Sequence, residues 1–235
     1  MYFPMYYDPT YFLVLIGVVL SLLAQAKVKS TFAKYSNVGN ARRLTGAEAA
    51  QQILNGAGIY DVRIEHVGGN LTDHYDPRAK VLRLSDSVYG QLSVAAIGVA
   101  AHECGHAIQH AKGYAPLKFR SALVAVANFG AQIAWPLIIF GLFLTSKASQ
   151  TLITIGVIAF LGSVLFHLVT LPVEFNASSR AIQIIAESSI LYSKEIKGAK
   201  KVLGAAALTY VASAATAILQ LLRILLLVGG RRRND

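Results

Sequence analysis

The chain of 235 residues has one cysteine, Cys104, so no disulfide can close within it and its fold does not depend on an oxidising compartment. Charge is scarce as well. Asp, Glu, Lys and Arg make up 14% of the residues against 54% hydrophobic, too apolar a balance for one good-sized soluble domain. Acidic residues number 12 against 22 Lys and Arg, and no aspartate stands between Asp86 and Asp235. The net charge of +10 does not point to nucleic acid, because the basic residues are not gathered with aromatics into a binding face. They flank apolar runs instead: Lys27, Lys29, Lys34, Arg42 and Arg43 follow the first, and Lys194, Lys197, Lys200 and Lys201 precede the last. Basic residues mark the cytoplasmic side of a membrane protein in this way.

What is present in quantity is long apolar sequence. Four stretches, at about 10–26, 121–145, 150–171 and 204–228, approach the roughly 20 residues that a helix needs to cross a bilayer. The expected class is a mainly α integral membrane protein with three to four transmembrane helices. Its segments are an N-terminal membrane anchor (1–26), a polar region with short strands and a helix (27–120), a transmembrane hairpin (121–171), a further helix (172–203) and a C-terminal hydrophobic segment with a basic tail (204–235). Ala24-Gln25-Ala26 resembles a signal-peptidase site, but the segment before it has no Lys or Arg and carries Asp8, so an uncleaved anchor is expected.

The polar region changes period along its length. Thr45 and Glu48 form a capping box, and Ala47, Ala49, Ala50, Ile53 and Leu54 give a helical stripe that ends at Gly56 and Gly58. From Val62 to Leu84, apolar residues separated by Gly68-Gly69-Asn70 and Asp76-Pro77 predict two or three short strands. Ser85-Asp86-Ser87 is expected to open a helix over about 88–111, with Gly113 as its stop. Thr145 to Gln150 joins the two hairpin segments, and Pro172 suits the first turn of a new helix over about 173–192.

His102-Glu103-Cys104-Gly105-His106 is an HExxH motif. On a helix its histidines lie four residues apart, so both imidazoles project from one face and bracket a single tetrahedral ion. Glu103 is displaced around the helix enough to leave the metal shell while reaching a water on it. Zinc lowers the pKa of such a water to about 7, and the carboxylate accepts its proton as it attacks a carbonyl carbon. The small neighbours Ala100, Ala101, Gly105 and Ala107 let another backbone approach closely.

A hydrolytic zinc site needs a third protein ligand and an open position. Glu174 is the only carboxylate between the motif and Glu187, and an even number of crossings returns it to the side of His102 and His106. The rivals are His110 and His167. His110 extends the spacing, but three ligands on successive turns of one helix span about 12 Å by helical rise, too far for one ion. That leaves it as a supporting, substrate or plain polar group. His167 lies near the end of an apolar segment, where an ionisable residue is a functional candidate.

Three runs together resemble the YugP-like neutral zinc metallopeptidases and, more distantly, the HtpX-like and CAAX-prenyl-type membrane proteases. They are Thr72-Asp73-His74-Tyr75-Asp76-Pro77, Ala101 through His110, and Leu171-Pro172-Val173-Glu174-Phe175-Asn176-Ala177-Ser178. The resemblance implies a zincin-like fold holding one Zn2+ per chain on His102, His106 and Glu174. HtpX-like relatives place an Asp four residues after that Glu to support a ligand. Here Ser178 stands in its place, as in YugP-like sequences, and Asn176 or a water is an alternative support.

Oxyanion donors are expected from Arg180, a little under two turns beyond Glu174, and from His74, which precedes a strand at 80–84 offered as the edge for an extended peptide. Each has a bland alternative, a helix-surface charge and a turn residue. The expected function is a membrane-embedded zinc endopeptidase acting on polypeptides of or near the membrane. The alternative is a catalytically silent zinc-binding scaffold or chaperone-like partner, which would not require Glu103. Intramembrane cleavage of the site-2 type would want an Asp in a later membrane helix, and none is there. The expected location is the cell membrane, multi-pass, with the catalytic region in the cytoplasm. Arg231 to Arg233 run against that orientation if the last segment spans, and Arg223 within it implies irregularity or packing with another chain, such as a homo-oligomer or a membrane scaffold partner.

Overall fold

A computed structural model describes residues 8–144 and 147–231. The first seven residues of the anchor, Thr145 and Ser146 of the expected hairpin turn, and the tail from Arg232 lie outside the described residues. The element order is α1 (Tyr11–Ser36), α2 (Gly46–Gly56), β1 (Arg63–Val67), β2 (His74–Asp76), β3 (Val81–Ser85), α3 (Val94–Ala111), α4 (Ala115–Phe143), α5 (Lys147–Glu187) and α6 (Ser193–Arg231). Helices α1, α4, α5 and α6 are each long and apolar enough to cross a membrane. The chain divides into two units: one of Met1–Leu23, Arg120–Val169 and Tyr210–Asp235, the other of Ala24–Phe119 and Thr170–Thr209.

The first unit is helix against helix. Large apolar side chains such as Phe12, Phe129, Phe140 and Phe143 remain exposed on it, as a lipid-facing surface requires. Small residues bring α4 and α5 together: a Cβ added at Gly130 would stand 2.4 Å from the Ala159 carbonyl oxygen, and one at Gly156 would stand 2.9 Å from that of Ala134. Arg223 does not need another chain. Its Nη2 donates to Asp8 Oδ2 at 3.1 Å, its Nε donates to Thr10 Oγ1 at 3.3 Å, and its guanidinium lies over the rings of Tyr11 and Trp135. These contacts satisfy the charge, so the expected irregularity of the last segment is absent and α6 runs unbroken through Arg223.

The second unit has an apolar core contributed by α2, the sheet, α3 and parts of α5 and α6. The capping box of Thr45 and Glu48 is formed in both directions and starts α2, whose Ala49, Ala50, Ile53 and Leu54 are fully buried. Burying side chains such as Ile53 and Leu54 contributes about 1.5–3 kcal/mol each. The sheet order is β1-β3-β2, with β1 parallel and β2 antiparallel to β3. The strand at 80–84 was expected to offer a free edge, but β3 is paired on both sides; the edges of the sheet are β1 and β2. Buried Val81, Leu82 and Leu84 explain the central position.

Two helix boundaries differ from expectation. Ser85-Asp86-Ser87 does not cap α3, because those side chains are already used: Ser85 donates to Asp73, and Asp86 accepts from the Gly69 N–H and pairs with His66. Ser93 is the cap instead, its Oγ accepting from the Ala96 N–H. Nor does Pro172 open a new helix, since α5 continues through it. A proline removes one bond of the helical ladder. In apolar surroundings the bonds on either side have no water to exchange with, and the helix persists.

Candidate metal centre

Helix α3 ends where expected, at Ala111 with Gly113 at φ +62° just beyond it, and it presents His102 and His106 on one face. Their rings stand edge to face with centroids 4.8 Å apart. Helix α5 crosses that face at very short range: a Cβ added at Gly105 would stand 2.7 Å from the Ala177 carbonyl oxygen. The glycine between the two histidines is therefore what admits Glu174. Glu174 Oε2 lies 3.2 Å from His102 Nε2 and 3.5 Å from His106 Nε2, and the carboxylate is buried.

One ligand atom from each of the three residues lies within 4.8 Å of the others. Among the described residues this is the sole group of three or more His, Cys, Asp or Glu able to hold a metal ion. Its composition fits a divalent transition metal, since two neutral imidazoles and one carboxylate leave a tetrahedral ion one open position. A buried carboxylate against two imidazole nitrogens requires positive charge, from a proton or from a metal. The response to that carboxylate is carried by His106. Burial opposes its charged form, but the hydrogen bond to Glu174 and the charges of Glu103 and Glu174 outweigh burial and raise its pKa above the ordinary histidine value.

The outer nitrogens of both rings are held. His102 Nδ1 is 3.1 Å from Ser178 Oγ, so Ser178 itself stands at the first ring. His106 Nδ1 is 3.0 Å from Gln109 Oε1. Asn176 serves Gln109 instead of a histidine: Gln109 Nε2 donates to Asn176 Oδ1 and to the Val173 carbonyl, both at 2.9 Å. Gln109 carries no charge and reads in the sequence as a buried polar residue. Its position three residues after His106, one helical turn on, is the signal that marks it.

Glu103 is nine-tenths buried and has no hydrogen-bond or ion-pair partner among the described residues. Arg180 Nε donates to Asn176 Oδ1 at 2.7 Å and its guanidinium lies over the Tyr114 ring. It also lines a cavity of about 260 Å³ with Ile108, Lys112 and Glu187. His74 is on the edge strand β2; its Nδ1 contacts the Thr72 carbonyl at 2.9 Å and its Nε2 contacts Arg83 at 3.5 Å. His110 is not a ligand. Its Nδ1 is 2.9 Å from the Tyr75 hydroxyl, tying α3 to β2. His167 stands outside the cluster, edge-on to Phe166. Cys104 is a buried packing residue whose Sγ donates to the Ala50 carbonyl.

Residues 10–229 match the family described as "Putative neutral zinc metallopeptidase". A relative from Bacillus subtilis (strain 168), described as "Putative membrane protease YugP", is 48% identical over 224 residues, which cover 95% of this chain and 98% of that protein. No solved structure matches the chain.

Proposed function

Because the chain belongs to the neutral zinc metallopeptidase family, we propose that it is a membrane-embedded, zinc-dependent endopeptidase that hydrolyses peptide bonds of membrane or membrane-proximal proteins. The observation that carries this reading is the convergence of His102, His106 and Glu174 beside Glu103, a carboxylate with no hydrogen-bond or ion-pair partner among the described residues. The three converging residues would hold one zinc per chain, which when bound supplies a Lewis acid that makes water acidic near neutrality and polarises a carbonyl.

The chain's own groups do the rest. Glu103 accepts the proton of the attacking water and delivers it to the departing amine. Its lack of a hydrogen-bond or ion-pair partner among the described residues supports this role, and a silent scaffold has no use for a carboxylate at that position. An extended substrate pairs with the outer edge of β2, and this brings His74 beside the substrate backbone. The Nη groups of Arg180 have no hydrogen-bond partner among the described residues, the guanidinium lying over the Tyr114 ring. They and His74 are the proposed donors to the oxygen of the attacked carbonyl.

The basic flanks of the apolar helices support a multi-pass place in the cell membrane with the catalytic region in the cytoplasm. Satisfied Arg223 gives no reason to invoke a second chain; a homo-oligomer or scaffold partner rests on the small size of the polar unit alone.

The test uses detergent-purified full-length protein, zinc analysis and casein hydrolysis before and after treatment with a chelator. Activity that disappears with the zinc and returns on its re-addition supports the reading. Hydrolysis indifferent to metal removal, or zinc held with no hydrolysis of any polypeptide tried, contradicts it.

A further inference from the structure

We propose that Gln109 is a positioning residue that fixes His106 in the tautomer with its proton on Nδ1 and its free electron pair on Nε2, directed at the metal position. The inference rests on the zinc reading above and adds to it a residue outside the metal-ligand set.

The assignment follows from what each neighbour can do. Val173 offers Gln109 a backbone carbonyl, which only accepts, so the Gln109 atom 2.9 Å from it must be the amide nitrogen. The same nitrogen donates to Asn176 Oδ1, so both of its protons are used. The other end of the amide is therefore oxygen, and it lies 3.0 Å from His106 Nδ1. An amide oxygen cannot donate, so His106 Nδ1 must. In a neutral imidazole the proton is then absent from Nε2, the nitrogen 3.5 Å from Glu174 Oε2.

The amide cannot turn over to serve the other tautomer. Gln109 is fully buried. A flip would set its oxygen against the Val173 carbonyl and leave two buried acceptors face to face, a large cost in low dielectric. Asn176 is fixed in turn by Arg180 Nε, 2.7 Å from the same Oδ1 that Gln109 uses. His102 has no equivalent control. Its Nδ1 meets the Ser178 hydroxyl, which can donate or accept and so accommodates either tautomer. The two histidines of the motif are thus held unequally, and the stricter hold is on His106.

The experiment measures Zn2+ affinity by chelator competition on full-length protein in detergent, for wild type, Gln109→Met and Gln109→Glu. Methionine keeps the length and apolar burial and removes the acceptor; glutamate, in its acid form, keeps an acceptor for Nδ1–H and one O–H to donate to the Val173 carbonyl. The expected result is a loss of about 10–100-fold in Gln109→Met, with Gln109→Glu binding more tightly than Gln109→Met. Co2+ absorption spectra of the variants are expected to change only where the acceptor is lost. Equal zinc affinity in Gln109→Met and wild type overturns the inference and leaves the zinc reading standing. A wild type that binds no zinc removes the reading itself. If Gln109→Met does not fold, 15N-histidine spectra of zinc-loaded wild type decide: a His106 ligated through Nε2 with a protonated Nδ1 supports the inference, and ligation through Nδ1 overturns it.

Discussion

Glu174 and His102 are separated by 72 positions in the chain, yet Oε2 of one lies 3.2 Å from Nε2 of the other. A buried carboxylate held so close to two imidazoles is stable only with a cation between them or a proton upon them. Glu174→Ala is therefore expected to lose zinc and activity together while keeping its helical content. Elemental analysis and circular dichroism of the purified variant check this.

The approach of α5 to α3 depends on an absent side chain. Gly105→Ala places a methyl group 2.7 Å from the Ala177 carbonyl oxygen and 3.2 Å from its carbonyl carbon. Backbone, unlike a flexible side chain, cannot swing away. The expected outcome is a destabilisation of about 1–3 kcal/mol and weaker zinc binding, since Glu174 moves away with α5. Thermal unfolding and chelator competition on the same sample measure both.

Cys104 lies between the two histidines but is expected to be chemically silent. Burial, and then the Glu103 charge, push its thiol well above its ordinary pKa, and only the thiolate is an effective nucleophile. At pH 8 the folded protein should resist maleimide labelling, and denaturation in SDS should expose one reactive thiol. Rapid labelling of the folded protein would show that the core at Ala50 opens.

The ion pair of Asp8 and Arg223 makes a separate prediction for the apolar unit. Asp8→Asn leaves a cation with its rings but without its carboxylate, and a stranded charge in low dielectric costs more than a removed pair. Asp8→Asn should therefore melt at a lower temperature than the double variant Asp8→Asn/Arg223→Met. The order is read by differential scanning fluorimetry in detergent.

Much of this site could be read from the sequence because its pieces are local. The spacing of His102 and His106 states their common face, Thr45 and Glu48 state a cap, and the scarcity of carboxylates after the motif leaves Glu174 conspicuous. What could not be read depends on partners distant in the chain. Ser85-Asp86-Ser87 has the composition of a cap, but Asp73, Gly69 and His66 use those side chains first. The strand at 80–84 has no mark that distinguishes a centre from an edge until β1 and β2 are placed. Gln109 is one more polar residue until Val173, 64 positions later, offers the carbonyl that orients it. Pro172 carries a local signal for a helix start, which the continuity of α5 overrides.

The central claim is that Glu103 performs the proton transfer at a zinc held by other residues. Its direct test is Glu103→Gln, assayed for zinc content and for casein hydrolysis beside wild type. Zinc content is expected to stay unchanged while hydrolysis falls by about 10²–10⁴-fold; hydrolysis at the wild-type rate would exclude Glu103 as the proton acceptor.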